Sequence, residues 1–214
     1  MKIELENVKP MDIERRSFEI IGQELEEKGK ILKPGTELIV KRCIHTSADF
    51  DYADNLLFSE GVVEQALAAI REGTDIVTDT QMAKAGINKR SLARYGGEVH
   101  CFMSDEDVAA AAKEMGSTRA TACMDKAAAL GGNFIYAVGN APTALVRLYE
   151  LIQEGRINPR LIIGVPVGFV NVVASKELIM QTQVPWIVAR GRKGGSNIAA
   201  CICNALLYML NNER

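Results

Sequence analysis

Short apolar, β-branched runs recur along the chain, each closing on Gly, Asp or Ser and followed by a stretch with helical spacing. The runs are Asp75 to Asp79, Glu98 to Met103, Asn133 to Val138, Leu161 to Val165 and Trp186 to Ala189. Helical spacing covers Ser59 to Arg71, Asp105 to Met115, Thr118 to Leu130, Pro142 to Gln153, Val170 to Gln181 and Ser196 to Asn211. In the last of these Ile198, Cys201, Ile202, Ala205, Leu206 and Met209 share one face, the stripe of a helix lying on a sheet, whereas Cys203 points another way from Cys201. Strands alternating with helices predict an α/β fold, a mostly parallel central sheet of about five strands with helices on both faces. No repeat, charge block or Pro/Ser-rich linker divides the chain, so residues 1–214 read as a single domain.

Two further helices precede the first of these strands. One runs from about Pro10 to Lys28 and stops at Gly29; the other starts at Thr36, an expected N-cap with Glu37 in the first turn. In the second, Val40, Cys43 and Ile44 form the apolar stripe, which places Lys41, Arg42 and His45 off it. Over so short a segment a strand fits the same pattern.

Composition narrows the classes. A hydrophobic share of 48% with 24% charged residues is that of a globular protein, which sets disorder aside. The net charge of −2 sets aside general electrostatic binding to nucleic acid or to an anionic membrane, so any anion site must be local. Charges interrupt the first residues before a signal-peptide core could form, and the longest weakly polar run, the 14 residues Leu161 to Ala174, is broken by Gly164, Pro166 and Gly168. Five cysteines, at 43, 101, 123, 201 and 203, are odd in number and lack secretory context, which favours reduced thiols in a cytoplasm.

In open α/β sheets ligands bind beyond the carboxyl ends of the strands, so the loops there are the places to look. Thr78-Asp79-Thr80-Gln81-Met82 follows the first run. GNAPTAL, Gly139 to Leu145, follows the third; Pro142 suits a first helical turn, and the N–H groups of that turn could hold an anion or simply close a tight connection. GVPVGF follows the fourth. Ala189 to Ser196, ARGRKGGS, follows the fifth and sets Arg190, Arg192 and Lys193 beside two glycines, where guanidinium groups could pair with carboxylate or phosphate and the backbone could approach a ligand closely. Neither a Walker A loop nor a G-x-G-x-x-G turn is present, which removes the usual support for a nucleotide.

Of the two histidines, His100 lies inside a strand among apolar neighbours, the setting of a buried, hydrogen-bonded structural residue. His45 ends an apolar segment just before Thr46, Ser47, Asp49 and Asp51, where an imidazole near its ordinary pKa could donate or accept a proton, or sit idle at the surface. A helix C-terminus would favour the protonated form and hence a donor role. Cys43-x-His45 and His100-Cys101 lack a second ligand pair at zinc spacing, so no protein-bound metal is expected. No G-x-S-x-G elbow supports a hydrolase.

Nine segments then fall into one order: IERRSFEII (13–21), IHTSAD (44–49), IVTDTQMAKAGI (76–87), STRA (117–120), GNAPTAL (139–145), IGVPVGFV (163–170), ASKE (174–177), GRKGGS (191–196) and NALL (204–207). Together, from about Ile13 to Leu207, they resemble the precorrin-8X methylmutase family of corrin-ring biosynthesis, whose anaerobic-route members are cobalt-precorrin-8 methylmutases. The resemblance implies a homodimeric α/β isomerase without cofactor that moves a methyl group from C-11 to C-12 of the macrocycle, giving hydrogenobyrinate or, with cobalt already inserted, cobyrinate. An intramolecular shift needs no nucleophile or redox group, since positioning and charge stabilisation can carry the rate.

By place in the matching motifs, the resemblance makes His45 the catalytic acid. Arg16 and Ser17 would contact substrate from the first helix, and Thr80 and Met82 would line the ring pocket. Arg119, Arg190, Arg192 and Lys193 would pair with peripheral carboxylates, and Asn140, Gly194 and Ser196 would donate further hydrogen bonds. The family site lies where subunits meet, so some of these groups would serve the neighbouring protomer. One departure stands out: Ala48 occupies a position where members often carry Gly, as in IHATGD, which puts the geometry of the turn in question. Two other classes compete with this reading, a non-catalytic corrinoid carrier and an enzyme with a nucleotide or phosphate ligand cradled by GNAPTAL and GRKGGS.

Overall fold

The central strands are almost wholly apolar because both sheet faces are covered. In the computed structural model, which describes residues 8–211, Ile76, Ile135, Ala137, Leu161, Ile163, Ile187 and Ala189 point into one core. Their neighbours Val77, Tyr136, Val138, Ile162 and Val188 point into another. The strands are β1 (Leu56–Phe58), β2 (Ile76–Thr78), β3 (Val99–His100), β4 (Ile135–Val138), β5 (Leu161–Gly164) and β6 (Trp186–Ala189). Their order is β1-β6-β5-β4-β2-β3, parallel throughout except that β1 runs antiparallel to β6.

After a 3-10 turn at Pro10–Asp12, the helices are α1 (Ile13–Glu27), α2 (Glu37–Ser47), α3 (Tyr52–Asn55), α4 (Val62–Arg71), α5 (Gln81–Gly86), α6 (Lys89–Ala93), α7 (Glu106–Glu114), α8 (Arg119–Ala129), α9 (Pro142–Gln153), α10 (Val172–Met180) and α11 (Ser196–Asn211). Buried side chains of α1, α2, α4 and α11 fill the first core, and those of α7, α8, α9 and α10 fill the second. The expected α/β architecture is therefore the observed one, with six strands in place of about five.

Sequence reading passed over β1, α3, α5 and α6, each three to six residues long and too short to show a period. Two of them are fixed by end chemistry: the Thr80 hydroxyl accepts from Ala83 N–H at 3.1 Å to start α5, and the Asn88 side chain accepts from Ser91 N–H at 3.0 Å to start α6. Thr36 departs from its expected role, since its hydroxyl donates back to the Lys33 carbonyl at 2.8 Å and caps nothing in α2. Arg42 departs as well. Off the apolar stripe of α2, it is nonetheless 8% exposed, paired with Glu14 at 2.8 Å and stacked on the Tyr208 ring at 4.4 Å, so it fastens α2 to α1 and α11.

A candidate active site at the carboxyl edge of the sheet

Chain order reverses between β2 and β4, because β3 lies on one side of β2 and the later strands build out from the other. Such a switch point opens a crevice at the strand carboxyl ends. Here the protein supplies its own anion to that crevice. Asp79, at the end of β2 and fully buried, accepts from the N–H groups of Gly139, Asn140 and Ala141 at 2.8, 2.8 and 2.6 Å. Burial pushes its carboxyl above the usual range, and the three donors pull it partly back. The anion-holding amides expected at the start of GNAPTAL are thus taken by a side chain of the same chain. Gly139 is required there because a Cβ would meet the Ser196 Cα at 2.6 Å.

Next to it, the β6–α11 loop is pulled against the β5–α10 loop. Gly195 N–H donates to the Val165 carbonyl at 2.8 Å, and a Cβ on Gly194, whose φ is 153°, would overlap that same carbonyl. Underneath, the fully buried Lys176 of α10 donates to the carbonyls of Gly191 and Lys193 at 2.8 Å each, and burial lowers its ammonium to about 8. Ser196, at the start of α11, meets Thr80 hydroxyl to hydroxyl at 2.8 Å, which joins the β2 and β6 loops across the crevice.

His45 arrives at this edge because β1 is antiparallel. Leu56 pairs with Ala189, so the chain just before β1 lies beside the carboxyl end of β6, where Arg190 N–H donates to the Asn55 carbonyl at 2.8 Å. The last turn of α2 carries His45, exposed, with the Phe18 ring of α1 edge-on at a centroid distance of 5.7 Å. Among the described residues no hydrogen bond or ion pair is recorded for His45. His100, by contrast, hydrogen-bonds through Nε2 to Asp75 at 2.8 Å, as a structural histidine should, though it is half-buried. After His45 the chain turns through Ala48 in the left-handed region, φ 54° and ψ 26°, the conformation the glycine of related turns adopts without strain.

The other nominated groups sort by what they touch. Lys193 bridges Asp49 and Asp51 at 2.6 Å each, fastening the loop to the turn after His45. Those carboxylates raise the Lys193 ammonium; burial alone would raise Asp49, but Lys193 carries it below its usual value. Lys193 is therefore a strut as found, not an open cation. Arg190 turns to Glu177 of α10 at 3.1 Å. Arg192 stacks over the Phe169 ring at 5.1 Å. Arg119 is exposed at the start of α8, near α9 through a Thr118–Thr143 hydroxyl contact of 2.8 Å, and the Asn140 side chain is exposed in the same quarter. Met82 is 69% exposed. On α1, Ser17 spends its hydroxyl proton on the Ile13 carbonyl at 2.9 Å and Arg16 lies 3.6 Å from Glu19.

Sequence reasoning missed Asp79, Lys176, Arg42 and the apolar ledge of Val167, Phe169 and Val170, exposed by 50%, 81% and 78%. The Gly-Phe run was visible in GVPVGF; nothing local marked the three buried charges. Among the described residues no three His, Cys, Asp or Glu side chains cluster as metal ligands, and no helix is long and apolar enough to cross a membrane.

Comparison with known proteins finds relatives over nearly the whole chain. A family described as precorrin-8X methylmutase matches residues 12–209. The chain is 47% identical to a cobalt-precorrin-8 methylmutase of Salmonella typhimurium over 94% of this chain and 96% of that protein. It is 43% identical to one of Priestia megaterium over 96% and 90%. A crystal structure of a precorrin-8X methyl mutase from Thermus thermophilus superposes with a TM-score of 0.84 at 38% identity, covering 94% of this chain and 98% of that one.

Proposed function

The chain belongs to the precorrin-8X methylmutase family and is an isomerase of cobalamin biosynthesis, and from that premise we propose how its own residues carry the shift of a methyl group from C-11 to C-12. His45 is the acid. One observation supports this most directly: of the two histidines, His100 is committed to Asp75, while the His45 imidazole stands on the rim with no hydrogen-bond partner among the described residues. Donating to the ring as electrons redistribute, it stabilises charge that develops in transit, and the methyl group leaves C-11 as its bond to C-12 forms.

The substrate's apolar face rests on Val167, Phe169 and Val170 of the β5–α10 loop and on Met82 of α5, all exposed apolar side chains that a protein has little reason to leave bare. Its carboxylate arms meet Arg192, Arg119, Arg16 and Arg190, with Lys193 holding the loop and exchanging partners when an arm approaches. Ser196, whose hydroxyl accepts from Thr80, donates from the crevice that Thr80 helps to line, with Asn140, Ser17 and the Gly194 backbone around them. The site is open, so we propose that a second protomer closes it, forming a homodimer with the reaction near the interface and water excluded. We further propose that the substrate carries cobalt, as the names of the Salmonella and Priestia relatives indicate, and that the enzyme works in the cytoplasm with its five thiols reduced.

The test is a titration of the pure protein with cobyrinate and with hydrogenobyrinate, read as a shift in the visible spectrum. Saturable binding at micromolar protein, tighter for cobyrinate, is expected. Failure of both to bind, with nucleotide binding instead, would overturn the reading in favour of a phosphate-ligand enzyme.

A further inference from the structure

Five free thiols are distributed unequally. Cys43, Cys101, Cys123 and Cys203 are buried; Cys201, on α11, is partly exposed. Cys201 lines a cavity of about 320 Å³ between α2, α5 and α11, shared with Arg42, Thr46, Met82, Asn197 and Tyr208. The Thr46 hydroxyl lies 3.2 Å from its Sγ, and the Cys43 thiol, completely buried in α2, is its electrostatic partner across the contact of α2 with α11.

We propose that Cys201 is a modification site: it is the thiol of this protein that soft electrophiles and peroxide attack first, through this cavity, with Cys43 as the partner that resolves the oxidised form. The proposal does not rest on the reading of His45. Three features meet at the sulfur that stabilise a thiolate: the Thr46 hydroxyl donor, the nearby Arg42 guanidinium, and access from solvent. The pairing with Cys43, opposed by burial and aided by Thr46 and Arg42, holds the Cys201 thiol below its usual range. Cys43 is pushed well up by the same pairing and by burial, and burial lifts Cys123 and Cys203 to about 12. No other cysteine combines access with stabilisation.

The oxidation balances with hydrogen peroxide as the oxidant. The Cys201 thiolate attacks one peroxide oxygen, the O–O bond breaks, and hydroxide leaves and takes a proton to become water, giving a sulfenic acid. The Cys43 sulfur then attacks Cys201 Sγ, its proton leaves with the displaced hydroxyl as a second water, and a disulfide joins α2 to α11. Thr46 loses its contact, and Cys43 and Thr46 lie two residues before and one after His45, so the bridge reshapes the turn that presents the imidazole.

One equivalent of iodoacetamide on the folded protein at neutral pH, followed by peptide mapping, should place label on Cys201 at least tenfold ahead of every other cysteine. Peroxide should give a peptide pair linked Cys43 to Cys201, reversed by dithiothreitol. In Cys43→Ser the reaction should stop at a sulfenic acid on Cys201 that dimedone traps. Equal labelling of Cys101, Cys123 or Cys203, or an unmodified Cys201 after peroxide, would overturn the proposal, and both readouts use the wild-type protein.

Discussion

Two loops at the carboxyl edge of the sheet, Gly139 to Leu145 and Ala189 to Ser196, look alike in sequence: glycine-bearing turns running straight into helices. They do opposite work. The first turns its amides inward onto Asp79 and is electrically complete before any ligand arrives. The second is held by its backbone, through Lys176 and Val165, and leaves Arg192 and the Phe169 ring exposed to solvent. A donor-rich loop is therefore a ligand site only if the protein has not already supplied the acceptor, and the deciding residue lies 60 positions away in the chain.

Substitutions at the two loops should separate cleanly into stability and function. The largest effect is expected from Asp79→Ala, which strands three N–H groups, one of them fully buried; a loss of about 3–5 kcal/mol in urea-unfolding stability follows from removing the buried acceptor of a charge-assisted cluster. A loss under about 1 kcal/mol would mean that water replaces the carboxylate and that the loop is open after all.

Lys176 gives the second loop its own stability signature. Its folded pKa of about 8 lies below the ordinary lysine value, so the unfolded chain binds more protons between the two, and stability gained from this group is lost as pH falls through 8. The stability of wild type relative to Lys176→Met should therefore rise by about 1–3 kcal/mol between pH 8 and about pH 10.4. A flat difference across that window would remove the buried ammonium from the account.

Arg192→Ala should leave stability unchanged and raise KM roughly ten- to hundredfold, the worth of one charge-assisted contact to a substrate carboxylate. Equal KM would move the carboxylate site elsewhere. The smallest change is a gain: Ala48→Gly relieves a left-handed alanine and should stabilise the protein by about 0.5–1 kcal/mol, read as a raised urea midpoint.

What could be read before the structure follows from the range of each interaction. The five parallel strands and the long helices show as local periodicity, and Trp186–Ala189, Pro142–Gln153 and Ser196–Asn211 end where the pattern ended. β1 was too short to read, yet it is what brings His45 to the strand ends. His45 itself was visible as a polar break in an apolar run; the partners of Lys193, Arg190 and Arg42 were not, because Asp49, Glu177 and Glu14 are set opposite them by packing alone. Charge in a loop was legible, but whether it was already neutralised was not.

The central claim is that His45 acts on the ring rather than merely holding it. Single-turnover conversion of authentic precursor by His45→Ala, at protein concentrations where cobyrinate binding is shown to be saturated, tests this directly. The account expects a rate reduced by about 10²–10⁴, the usual worth of a positioned proton donor, with product affinity within a few fold of wild type. Conversion at the wild-type rate would contradict it and leave His45 a surface residue of an isomerase whose proton donor, if it has one, is another group.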